Sequence, residues 1–159
     1  MNKEKLLQEI IEQLEKDRVA LLEATRATLE AATHEESVAE NEYDTRGLEA
    51  SYLAGAQSKR VAEIEEALSI YKHLNLRSFT KEDTIASTAL VELVSEGKKS
   101  YVILMPKAGG MTLHLDGYPV QVVTGTSPLG EALLGLRIGD SALVESGTYE
   151  KEYEVLNVW

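Results

Sequence analysis

The stretch Thr33-His34-Glu35-Glu36-Ser37-Val38-Ala39-Glu40-Asn41-Glu42-Tyr43-Asp44-Thr45-Arg46-Gly47 decides how this chain folds. It holds five acids and no base between 35 and 44, and it separates two segments of helical periodicity. Before it, Leu7, Ile10, Leu14, Leu21, Thr25, Thr28 and Ala32 form an apolar stripe at helical spacing, interrupted by Arg18. After it, Gly47, Ala50, Ala54, Gln57, Val61, Ile64, Leu68 and Tyr71 form a second. Both are narrow seams of the coiled-coil kind. Two helices of roughly thirty residues would each be about 45 Å long, and neither can bury its seam alone. Reversing the chain at 34–46 pairs them as an antiparallel coiled-coil hairpin. The charged break argues against one continuous helix and the dimeric coiled coil it would build. Gly47, Ala50 and Ala54, opposite Ala31 and Ala32, predict a thin half near the turn. Val61, Ile64 and Leu68, set against Leu7, Ile10 and Leu14, predict a better-packed base.

Outward from the hairpin, residues 76–83 (LRSFTKED) read as a linker, and beyond it the period changes. Pro106, Pro119 and Pro128 and most of the glycines lie on that side. Strands are expected over 85–94, 100–105, 111–115, 119–124, 142–145 and 149–158. Asp116-Gly117 is a two-residue hairpin signal. Ser127 as N-cap, Pro128 at the first helical position and Glu131 in the first turn open a short helix, which Gly135 closes. The chain therefore reads as α+β: a helical hairpin over 1–75, a linker over 76–83, and a small antiparallel β-sheet domain with one short helix over 84–159.

Bulk chemistry narrows the function. The formal net charge of −11 makes direct duplex DNA binding a poor expectation, since no Lys/Arg cluster offsets it. With no cysteine, disulfides, thiolate catalysis and Cys-ligated zinc are excluded. The N-terminus MNKEKLLQEIIEQLEKD lacks a signal-peptide apolar core, and no run of membrane-spanning length exists. A cytoplasmic monomer is expected. His34, His73 and His114 are unpatterned, and there is no nucleophile constellation, phosphate loop or nucleotide fingerprint, so no enzyme activity of its own is expected.

The tip holds the remaining chemistry. Glu36 and Glu40 are four apart, share a helical face and repel by a few tenths of a kcal/mol. Magnesium is commonly held by one or two carboxylates together with substrate phosphates, so such a tip could complete a metal site on a partner. Solvated acids at a helix end are the bland alternative. Tyr43 is expected to pack across the turn as a cap.

Residues at both ends carry a resemblance. Thr126-Ser127-Pro128-Leu129-Gly130-Glu131-Ala132-Leu133-Leu134-Gly135, then Arg137-Ile138-Gly139-Asp140 and the strand Tyr153-Glu154-Val155, resemble the C-terminal domain of bacterial Gre (GreA/GreB-like) transcription elongation factors. The hairpin with Glu40-Asn41 and Glu42-Tyr43 at its tip is similar to the Gre coiled coil. The resemblance implies an FKBP-like C-terminal domain that binds RNA polymerase, with Ser127, Pro128, Leu129 and Gly130 as contact candidates. It implies a hairpin inserted into the polymerase's secondary channel, presenting Glu35, Glu36, Glu40, Glu42 and Asp44, with Asn41 and Tyr43 in support. It further implies transcript cleavage assisted by magnesium shared with the polymerase, directed by Glu40 with Glu36.

The tip also departs from the cleavage-active pattern, which pairs an Asp with a Glu three residues later; here Ser37 stands in the Asp position. The segment 43–50 looks more like inhibitory homologues that occupy the channel. Occupancy without cleavage is thus the alternative within the family. An FKBP-like chaperone, a prolyl isomerase or a protein-interaction adaptor is the alternative outside it. Such isomerases line their pocket with aromatics, and here Phe79, Tyr101, Tyr118, Tyr149, Tyr153 and Trp159 are spread along the sequence, which argues against that alternative.

Overall fold

A computed structural model of the chain describes residues 2–34 and 38–159. Its elements run α1 (Lys3–Thr33), α2 (Arg46–Lys72), β1 (Leu90–Ser95), β2 (Lys98–Met105), β3 (Thr112–Leu115), β4 (Tyr118–Thr124), α3 (Pro128–Leu133), β5 (Ser141–Ser146) and β6 (Tyr149–Val158). Contacts group them into two compact units, Ile11–His73 and Met1–Ile10 with Leu74–Trp159. No helix among the described residues is long and apolar enough to cross a membrane.

In the helical unit, two ion pairs fix the direction of the helices. Arg18 meets Glu65 at 3.7 Å and Lys72 meets Glu15 at 3.6 Å. A lower number on α1 pairs with a higher one on α2, so the helices run antiparallel. Leu14 and Thr25 of the first seam and Ala54, Val61, Ile64, Leu68 and Tyr71 of the second are buried, together with Ala67, while at the start of α1 Leu6 rather than the expected Leu7 is the buried leucine. Of these only Thr25 and Ala54 lie in the half nearest the turn, so small residues there do leave it thinly packed. Thr25 tolerates burial because its hydroxyl donates to the Leu21 carbonyl at 2.7 Å. Arg18, the break in the first seam, is half-buried and also pairs with Glu15 at 3.1 Å.

The other unit is a six-stranded sheet in the order β3-β4-β2-β1-β6-β5. It differs from the expected antiparallel sheet in one pairing. β2 and β4 run parallel, from Tyr101↔Val120 to Met105↔Thr124. The cause is the β3–β4 hairpin. Asp116 (φ 52°) and Gly117 (φ 86°) supply the two left-handed residues of a tight turn, and β3 takes the sheet edge. β4 is thereby returned beside β2 in the same direction.

The first strand also begins later than expected, at Leu90 rather than at 85. Ile85 instead exchanges backbone hydrogen bonds with the turn after α3, donating to the Leu136 carbonyl at 2.8 Å and accepting from the Gly135 amide at 2.9 Å. Thr88, at φ 72°, then interrupts the extended backbone. Val91, Leu93, Val102, Leu104, Val123, Leu133 and Val155 form the core beneath α3, and Phe79 from the 76–83 segment packs against it.

Two polar groups tie this unit together. Lys3, in the first turn of α1, donates to the carbonyls of Arg77, Thr88 (2.9 Å) and Trp159 (2.8 Å), and its ammonium lies 4.8 Å from the centre of the Phe79 ring. Burial pulls its pKa down to about 8. Glu92 is buried at mid-strand in β1, where it accepts from Lys99 (2.8 Å), Asn157 (2.6 Å) and Tyr101 (3.4 Å). The register places Tyr101 and Asn157 directly across from it.

The Lys99 bond, then that from Asn157, holds the Glu92 carboxyl below its ordinary value. A carboxylate with a depressed folded pKa contributes stability at neutral pH and loses it as pH falls below the unfolded value, 4.5. Glu92→Gln is therefore expected to lower the denaturation midpoint at pH 7 and to flatten its decline below pH ~4.5. Urea titrations at several pH values check both effects.

Candidate functional site

The turn between α1 and α2 is built by its own short polar side chains. Asn41 Oδ1 accepts from the Tyr43 amide at 2.9 Å, and the Asp44 amide donates to the Asn41 carbonyl at 3.2 Å, a side-chain-mimicked turn. The Asp44 carboxylate then collects four donors. They are the amides of Glu40 and Arg46, both at 3.3 Å, and Arg46 Nε and Nη2 at 3.0 and 2.9 Å. Arg46 Nη2 also lies 3.8 Å from the Glu40 carboxylate. The Arg46 side chain first, and the two backbone amides next, hold the Asp44 carboxyl well below the usual carboxylate range. Thr45 completes the entry into α2 by donating from its hydroxyl to Glu49 at 3.1 Å.

The expected tip set therefore divides. Glu35 and Glu36 lie outside the described residues. Glu40 and Glu42 face solvent. Asp44 does not, since its side chain is 10% exposed against 79% for that of Glu40. Its charge is engaged by Arg46 rather than presented. Asn41 braces the turn through its side-chain oxygen. Tyr43 does not cap it and is 84% exposed. The residue that sequence reasoning missed is Arg46. Its signal was its place two positions after an acid at a helix start, where the guanidinium can fold back as a fork onto a carboxylate.

A metal finds no ready cage here. Among the described residues no group of three or more His, Asp or Glu side chains could hold one. Of the Glu40–Glu36 pair only Glu40 is described. Among the described acids of the tip, Glu40 and Glu42 are open to solvent and Asp44 is engaged by Arg46.

The second candidate region surrounds α3. The Ser127 hydroxyl is fully engaged, donating to the Thr124 carbonyl at 2.7 Å and accepting from the Gly130 amide at 3.1 Å. Gly130 is buried. Pro128 is exposed and Leu129 half-buried, and both line a groove of about 540 Å³ with Gly109, Gly110 and Val144. Of the four contact candidates, Ser127 and Gly130 build the helix start while Pro128 and Leu129 face the groove. A neighbouring cleft of about 550 Å³ gathers Tyr101, Tyr118 and Tyr153 with Lys99 and Lys151. The rings of Tyr101 and Tyr118 are 5.3 Å apart. Aromatics dispersed in sequence are brought together here by the strand order.

Residues 81–159 match the family described as transcription elongation factor, GreA/GreB, C-term. Transcription elongation factor GreA of Acidiphilium cryptum (strain JF-5) is 29% identical over 133 residues, covering 84% of this chain and 79% of that protein. Transcription inhibitor protein Gfh1 of Thermus aquaticus is 30% identical over 152 residues, covering 94% of this chain and 89% of that protein. A crystal structure of GreA factor homolog 1 (Gfh1) of Thermus thermophilus is 25% identical, covers 96% of this chain and 94% of that one, and has a TM-score of 0.38.

Proposed function

This chain belongs to the GreA/GreB family of transcription elongation factors, and from that premise we propose that it binds RNA polymerase through the sheet domain and enters the secondary channel hairpin tip first. The observation that carries the reading is the tip itself. Glu40 and Glu42 are exposed on a turn that Asn41 and Asp44 brace between two antiparallel helices. The groove at Pro128 and Leu129 is the docking surface on the sheet domain. The protein performs no reaction of its own, acts as a monomer without contacting duplex DNA, and alters what the polymerase does to its transcript. Channel occupancy without transcript cleavage is a second reading. It draws support from the engagement of Asp44 by Arg46 and from the similarity to a transcription inhibitor.

A stalled, backtracked elongation complex, incubated with this protein and magnesium, tests the proposal. Shortened RNA supports a cleavage factor. Unchanged RNA with the protein bound supports occupancy. Failure to bind polymerase sinks both. If RNA shortens, Glu40→Ala is expected to slow the shortening about tenfold, a loss of roughly 1.4 kcal/mol of transition-state stabilisation, while polymerase binding is retained. Loss of binding instead would make the tip an anchor.

A further inference from the structure

We propose that Arg46 sets what the tip can do: it is an internal counter-cation that keeps Asp44, and in part Glu40, from acting as ligands for a divalent cation. The inference deepens the reading above and rests on it only for its consequence at the polymerase. Its basis is geometric. Arg46 approaches Asp44 with two parallel N–H donors at 3.0 and 2.9 Å, the fork geometry that fits a carboxylate best. The same guanidinium stands 3.8 Å from Glu40, so one cation serves both acids.

Two backbone amides fill further lone-pair positions on Asp44, and only a tenth of its side chain remains accessible. A hard divalent cation needs those same oxygens, free and deprotonated. It would have to displace a bidentate cation and bring its own charge beside it. A divalent cation and a guanidinium about 4 Å apart in water repel by roughly 2 kcal/mol, equivalent to a factor of about thirty in affinity. A tip built this way presents negative surface at Glu40 and Glu42 without offering a chelating pair from the described acids. That favours occupancy over metal delivery.

The claim is tested on the free protein, without polymerase, using manganese as a paramagnetic probe of the amides of residues 38–46. Arg46→Gln is expected to reach half-broadening at roughly thirtyfold lower manganese than the parent chain. Arg46→Lys, which keeps the charge and loses the fork, is expected to fall between. The double variant Arg46→Gln with Asp44→Asn is expected to return to the parent value, assigning the gain to Asp44. Arg60→Gln removes the same charge from α2 at a residue paired with Glu63 and is expected to leave the tip unchanged. The two backbone bonds to Asp44 remain in Arg46→Gln, so unchanged amide positions elsewhere report an intact hairpin.

Equal half-broadening in Arg46→Gln and the parent, a gain that survives Asp44→Asn, or an equal gain from Arg60→Gln would overturn the proposal. Absence of polymerase binding would leave these outcomes unaltered and would count against the functional reading alone.

Discussion

Gly130→Ala is expected to cost about 3 kcal/mol or more and to bring the urea midpoint of the sheet domain down sharply. A methyl group there would stand 1.9 Å from the Thr124 carbonyl oxygen, 2.8 Å from its carbon and 3.0 Å from Ser127 Oγ. None of these can swing aside. Thr124 ends β4 and pairs with Met105 in the parallel ladder. Its carbonyl also accepts from the Ser127 amide at 3.0 Å and the Ser127 hydroxyl at 2.7 Å. Making room means pulling the start of α3 off β4, and with it Leu133, a fully buried core residue. Domains of this size hold only about 5–15 kcal/mol in total, so such a loss is a large share. A midpoint within experimental error of the parent would show that the helix start shifts freely, and would contradict the tight packing described.

Lys3→Met is the second large effect expected, a loss of about 2–3 kcal/mol at pH 7. Methionine keeps most of the aliphatic stem but removes the ammonium, and with it the contact to the Phe79 ring at 4.8 Å. Three carbonyls from distant parts of the sequence, Arg77, Thr88 and Trp159, then lose a charged donor together. Charge-assisted bonds are the stronger class, and carbonyls left short of donors in a partly buried site carry a desolvation cost. With its pKa lowered by burial to about 8, the group is still mostly charged at pH 7, and the desolvation that lowers it offsets part of what the three bonds contribute. Calorimetric or urea unfolding measures the change. Equal stability of the two proteins would mean water replaces the ammonium at no cost.

The hairpin was legible because its information is periodic and local. Each seam repeats over many turns, and the acid-rich break between them admits one economical solution. The Ser127-Pro128 helix start and the Asp116-Gly117 turn were legible for the same reason, since their geometry depends on residues next to one another. What failed to show was pairing between distant segments. Nothing near β4 marks it as parallel to β2, because that follows from β3 occupying the edge. Nothing near Ile85 reveals that its backbone partners are Gly135 and Leu136, some fifty positions on. Likewise nothing next to Lys3 or Glu92 announces partners as distant as Arg77 and Trp159 for the one and Asn157 for the other. At the tip, composition counted five acids as equivalent, whereas orientation separates Asp44 from Glu40 and Glu42. That distinction depends on one arginine just past the counted window.

The placement of β6 bears on how the chain is made. It lies in the sheet interior, between β1 and β5, and the backbone of Trp159 exchanges bonds with Leu90 at 2.9 and 3.1 Å. During synthesis the helical pair has all of its partners once residue 73 has left the ribosome. The sheet must wait for β6, leaving β1 and β5 without that partner until then. A nascent chain held just short of that point should be open to proteases downstream of the hairpin while the hairpin itself is already closed.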